Sequence, residues 1–138
     1  MTTTFAGGCL CGALRYEANA EPKFMGYCCC DDCQKASGSG FIPFMGFAAG
    51  ALKVSGPYTL YQMHHKDGRS SERFSCAKCN SLVFGGEPGN PNGNTIYAGT
   101  LDDTSQFKPA MAIMTKFKPD WVILPPGLAT FEGMPTGA

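Results

Sequence analysis

The chain has 138 residues, 43% hydrophobic and 16% charged, which suffices for one globular core and leaves too little for two. Lys plus Arg (11) balance Asp plus Glu (11), so there is no broad basic field to hold nucleic acid or an anionic membrane, and neither is expected as a partner. Gly (18) and Pro (10) interrupt long helices, which argues against a helical bundle and favours short strands joined by turns.

Residues 14–18 alternate in polarity and read as a strand, and the stretch 23–27 runs straight into a cysteine cluster. Residues 31–37 form the one locally helical segment, with Asp31 and Asp32 as charges at its start and Gly38 and Gly40 ending it. Strands are expected over 41–47, 52–54, 58–64 and 71–75, with turns at 55–57 and at Asp67-Gly68, as in a β-meander. The Gly-, Pro- and Asn-rich segment 85–94 reads as a loop, and strands resume at 95–101, 110–117 and 121–124. Residues 134–138 are expected to fray. A single domain over 1–138, with its core over about 4–135, accounts for the pattern.

Neighbouring His64 and His65 lie near a hairpin tip, point to opposite faces and read as surface histidines. Lys108, Lys116 and Lys118 read as charges guarding an edge strand rather than as a carboxylate-binding set. Phe24, Tyr27, Phe41, Phe44 and Phe47 flank the cysteine cluster and are expected to pack around it, limiting water there.

No segment approaches the roughly 18 consecutive apolar residues that span a bilayer. The first residues show neither a basic nor an apolar leader region, so a cytoplasmic location is expected. In a reducing compartment the eight cysteines are metal ligands or catalytic thiols before they are disulfides. Cys76-Ala77-Lys78-Cys79 has the CxxC spacing of a zinc knuckle, and Asn80 stands where its turn needs a left-handed residue. Cys9-Leu10-Cys11 supplies a second pair, whose sulfurs share a face if the backbone is extended. Together Cys9, Cys11, Cys76 and Cys79 make a closed four-thiolate site of structural character.

In the cluster, Cys28 and Cys30 form another CxC pair and Cys30 and Cys33 a CxxC pair, so three thiolates converge on a second zinc. Strand alternation through Cys30 sends Cys29 to the opposite face as a buried or spare thiol. Three ligands leave a fourth position open for water or a substrate thiolate, which marks a reaction centre. Closure by Cys29, Asp31 or Asp32 is the competing reading and would make the site inert. A redox CxxC needs a βαβ context that the flanking sequence does not offer.

Three motifs carry a family resemblance: Gly8-Cys9-Leu10-Cys11-Gly12, Cys28 to Cys33 with Ser37-Gly38-Ser39, and Phe74-Ser75-Cys76-Ala77-Lys78-Cys79. Joined by Gly99 to Asp103 and Gly127 to Pro135, they resemble the glutathione-dependent formaldehyde-activating enzyme family, which includes centromere-protein-V-like proteins. The resemblance implies an all-β domain of several coiled short antiparallel sheets, shared at a distance with methionine sulfoxide reductase B. It also implies carbon-sulfur lyase chemistry with two zinc ions. Cys9, Cys11, Cys76 and Cys79 would hold the structural ion, and Cys28, Cys30 and Cys33 the catalytic one. In the family's named enzyme, glutathione and formaldehyde combine to S-hydroxymethylglutathione, so a small thiol and a small aldehyde are the implied partners. A homo-oligomer remains compatible with the sequence.

This chain departs from the family pattern at Cys29 and Ala112, where His is common, and at Asn80, where Gly is common. The two missing histidines take away proton carriers expected near the metal. Two other functions compete: a non-catalytic zinc-stabilised protein-interaction module, and a methionine sulfoxide reductase that would need Cys29 as its reactive thiol.

Overall fold

The computed structural model describes residues 3–65, 68, 70–86 and 90–135. Along the chain run β1 (Phe5–Gly8), β2 (Arg15–Ala18), β3 (Phe24–Cys28), α1 (Asp31–Ser37), β4 (Ile42–Phe47) and β5 (Leu52–Ser55). They are followed by β6 (Tyr58–His64), β7 (Ser70–Cys76), β8 (Leu82–Gly85), β9 (Asn94–Tyr97), β10 (Met111–Ile113) and β11 (Ala129–Thr130). No helix among the described residues is long and apolar enough to cross a membrane.

The strands form two sheets. One is antiparallel, in the order β1-β2-β5; the other runs β11-β10-β3-β4-β9-β8-β7-β6. Of the meander expected over 41–75 only β6 and β7 are neighbours: β4 pairs with β3 and β9, and the observed meander is the later run β6 to β9. β5 joins the small sheet. The pairing is antiparallel, as expected, except at β10, which lies parallel to both β3 and β11. The long connection after β9 carries the chain back along the β3 edge, and parallel pairing needs such a crossover.

The helix occupies the span its sequence indicates and ends at Gly38 in a left-handed conformation. Three expectations differ. Residues 98–100 and 115–117 close into 3-10 turns in place of strand ends. Residues 121–124 join no ladder, and Trp121 and Ile123 are exposed. Pro119 precedes this segment, Pro125 and Pro126 follow it, and Lys118 Nζ caps the Val122 carbonyl at 2.9 Å. Asp67 of the expected turn, the middle of the 85–94 loop and the last three residues of the frayed tail lie outside the described residues.

Cross-strand partners share a face, so the register assigns the two faces of the large sheet. Met45 is paired with Ile96, Ile96 with Phe84, and Phe84 with Phe74. This face packs against Phe5, Leu14, Tyr16, Ala18 and Leu52 of the small sheet and its connection, forming the core. Phe5 meets Phe47 at 5.5 Å, and Phe74 stacks on Phe84 at 4.6 Å. Each fully buried ring or branched aliphatic side chain contributes about 1.5–3 kcal/mol. The opposite face pairs Ile113 with Cys28, Cys28 with Ile42, Phe44 with Tyr97, Thr95 with Gly85, and Gly85 with Arg73. It is the floor of a cleft.

Candidate metal centres and the cleft beside them

The first centre sits where the two sheets meet. β1 ends at Gly8, and the next residues form a turn in which Gly12 N–H donates to the Cys9 carbonyl at 3.2 Å with Gly12 at φ +84°. The CxC pair is therefore folded back by a turn rather than alternating along a strand, a correction to the extended reading. The turn places Cys9 Sγ 3.6 Å from Cys11 Sγ. Cys76 ends β7, and the knuckle after it closes when Asn80 N–H donates to the Cys76 carbonyl at 2.9 Å. Cys11 Sγ and Cys76 Sγ lie 3.8 Å apart.

The sulfurs of Cys9, Cys11, Cys76 and Cys79 all fall within 4.8 Å of one another. Tetrahedral zinc with bonds of about 2.3 Å separates its ligands by about 3.8 Å, so four soft donors with this spacing fit the ion. Backbone amides also point at the sulfurs: Leu14 N–H to Cys9 at 3.2 Å and Lys78 N–H to Cys76 at 3.3 Å. A hydrogen bond from the Ser81 hydroxyl, 3.1 Å away, is the chief cause pushing the Cys79 thiol down to about 5.

Asn80 adopts φ +63°, the left-handed conformation its place in the knuckle demands. After Gly, Asn is the residue that most readily adopts that region. An Asn80→Ala substitution is expected to cost about 1–2 kcal/mol and Asn80→Gly to stay within about 0.5 kcal/mol of wild type, read as midpoint shifts in thermal melts of the zinc-loaded protein.

The second centre is built from the end of β3 and the start of α1. Extended backbone persists to Cys30, the N-cap at φ −63° and ψ 156°, whose sulfur accepts the Cys33 N–H at 3.2 Å. The sulfurs of Cys28, Cys30 and Cys33 lie within 4.8 Å of one another, and among the described residues no fourth His, Cys, Asp or Glu joins them. Both sets hold only sulfur donors, a ligand set that suits zinc. Hydrogen bonds from Cys28, then Cys33, push the Cys30 thiol down, while donation to Cys30 pushes Cys28 up.

Asp31 and Asp32 occupy the first turn of α1, as expected of charges at a helix start, and neither closes the site. Cys29 points away: it is fully buried, its N–H bonds the Ile113 carbonyl at 3.1 Å, and it does not line the cleft. Ala112 is likewise buried and absent from the cleft lining. The side chains present at these two positions therefore do not face the cleft.

The cleft, of about 610 Å³, is lined by Cys28, Cys30 and Cys33 together with residues the sequence reading passed over. Arg73 Nη2 lies 3.6 Å from Cys33 Sγ and Nη1 3.2 Å from the Tyr97 hydroxyl, while its Nε is buried without a hydrogen-bond partner among the described residues. Burial pushes the Tyr97 hydroxyl up to about 12, so it stays protonated. His65, read as a surface residue, lines the cleft with its Nε2 2.8 Å from Ser71 Oγ. The signal for Arg73 was present in the polar alternation of Ser71, Arg73 and Ser75 about the core residue Phe74. Which face that set would meet depended on register.

Of the five aromatics expected around the cluster, Phe24 and Phe44 line the cleft. Tyr27 packs on Phe41 and Phe107 instead, at 5.0 and 5.5 Å, and Phe47 belongs to the core. Strand alternation separates the two groups. Lys116 lies in the 3-10 turn 115–117 and Lys108 and Lys118 in irregular backbone, so none of the three is on the edge strand expected for them.

A family model described as "Glutathione-dependent formaldehyde-activating enzyme" matches residues 4–117. No curated protein matches the chain. Among solved structures, that of a Rhodobacter sphaeroides protein from a structural-genomics programme is similar, with a TM-score of 0.53 and 18% identity. The match covers 91% of this chain and 98% of that one, and at this identity it shows a shared fold.

Proposed function

The chain belongs to the glutathione-dependent formaldehyde-activating enzyme family, and from that premise we propose a zinc-dependent carbon-sulfur lyase that joins a thiol to a small aldehyde at Cys28, Cys30 and Cys33. The observation that carries the reading is the uneven sharing of sulfur, four at one centre and three at the other, with the three opening on the cleft. Four thiolates saturate a tetrahedral ion, so Cys9, Cys11, Cys76 and Cys79 are assigned to a structural zinc. Three leave one corner free, so Cys28, Cys30 and Cys33 are assigned to a catalytic one. When bound there, zinc supplies a Lewis acid that eases loss of a proton from an incoming thiol.

The chain's own groups supply positioning and charge. Arg73 sets a cation beside Cys33 and so offsets the negative charge of three clustered thiolates. Tyr97, protonated, holds the other end of that guanidinium. The cleft confines thiol and aldehyde together, which replaces a bimolecular encounter by an oriented one. As the sulfur adds to the carbonyl carbon, a C–S bond forms, the C=O π pair moves to oxygen, and the thiol's proton ends on that oxygen. The product is a hemithioacetal and no redox partner is needed. His65, paired with Ser71 on the cleft wall, is the side chain suited to carry that proton.

Glutathione and formaldehyde are the substrates the family name supports, and the cytosol, where thiols stay reduced, is the proposed location. Purified protein is expected to carry two zinc ions per chain and to accelerate the consumption of glutathione thiol by formaldehyde above the uncatalysed rate. One zinc or none, or no acceleration with any thiol, would sink the proposal; a single zinc without acceleration would make a zinc-stabilised interaction module the better reading.

A further inference from the structure

The cleft face changes character across the sheet. Toward β7 and β9 it presents Ser71, Arg73, Thr95 and Tyr97. Toward β3, β4 and β10 it presents Phe24, Ile42, Phe44 and Ile113, continued by Met114 and Phe117. Ile42 and Ile113 are the ladder partners of Cys28, so the apolar half begins at the three-sulfur centre itself. Formaldehyde, with one carbon, makes no use of such a wall. Phe24 and Phe117 are each 40% exposed, and apolar surface left wet beside a reaction centre marks a place for a ligand to cover.

Met114 supplies a second observation. Its backbone is left-handed at φ +55°, a conformation that Gly would adopt without strain and a long side chain adopts at a cost. A methionine at this position is accounted for when its flexible side chain completes the wall.

We propose that the aldehyde carries an apolar substituent of several carbons, laid along Phe24, Phe44, Met114 and Phe117, while the polar body of the thiol lies toward Arg73 and Tyr97. This rests on the reading of the cleft as a site of thiol addition and names the substrate class beyond formaldehyde. The chemical step is unchanged: one C–S bond forms and one proton moves from sulfur to oxygen.

Stable thioethers of the adduct's shape test it. Calorimetry on the zinc-loaded protein compares S-methylglutathione with S-hexylglutathione, and rate assays compare formaldehyde with hexanal. Each covered methylene is worth roughly a fourfold gain, so the hexyl ligand is expected to bind at least tenfold tighter and hexanal to show the higher kcat/KM. In Met114→Gly, which relieves the backbone and is expected not to lower the melting temperature, the hexyl advantage should fall below threefold. An advantage that survives in M114G would overturn the place given to Met114. Equal affinity with turnover of formaldehyde alone would overturn the inference and leave thiol addition standing. No binding and no turnover of either aldehyde would overturn both.

Discussion

Cys76→Ala is expected to abolish the cooperative unfolding transition of the domain and to lower its zinc content from two ions to at most one. Cys76 is fully buried, belongs to the core, and sits 3.8 Å from the sulfur of Cys11, a residue 65 positions earlier in the chain. The four-sulfur centre thus staples the end of β7 to the turn that follows β1, where the small sheet meets the large one. Binding of a structural zinc is worth about 10–16 kcal/mol, and a small domain is stable by only about 5–15 kcal/mol in total. Losing one of four thiolates therefore removes an amount comparable to the whole stability. Circular dichroism melts with metal analysis check this, and a folded C76A protein with an unchanged midpoint would contradict a structural role for the centre.

Local chemistry made much of that centre legible. Asn80 after a CxxC pair signalled a left-handed turn, and the structure has one. The CxC pair was legible as a ligand pair but not in its conformation, because Gly12 allows a turn that two cysteines alone do not announce. At the second centre, strand alternation through Cys30 correctly separated Cys29 from its neighbours, since a period of two survives wherever the backbone stays extended.

Long-range pairing was less visible. β1, Phe-Ala-Gly-Gly, carries little strand propensity, since only Phe5 favours a strand. Its glycines serve close approach, and a Cβ on Gly7 would collide with the Thr100 carbonyl and the Tyr16 hydroxyl. β8 was passed over because four apolar residues beside a knuckle carry no period of their own. The cleft was hidden for the same reason. Cys33, Arg73 and Tyr97 lie far apart in sequence, and only the register of β7 on β8, β8 on β9 and β9 on β4 brings them to one face.

Replacing Cys30 separates catalysis from folding, because its sulfur does two jobs. It belongs to the three-sulfur set, and as N-cap of α1 it accepts the Cys33 N–H. Cys30→Ala removes both roles, whereas Cys30→Ser keeps a capping oxygen but is a poor ligand for a thiophilic ion. Both variants are expected to stay folded, to hold one zinc in place of two, and to lose thiol addition down to the uncatalysed rate. Two thiolates cannot keep the ion against competition from solvent chelators. The Ala variant should also lose the cap, about 1 kcal/mol or a midpoint drop of about 4 °C, which the Ser variant should largely recover. The four-sulfur centre is untouched in either protein, so retention of fold is the expected contrast with Cys76→Ala. Two zinc ions retained in C30S, or full activity with one, would place the chemistry elsewhere in the molecule.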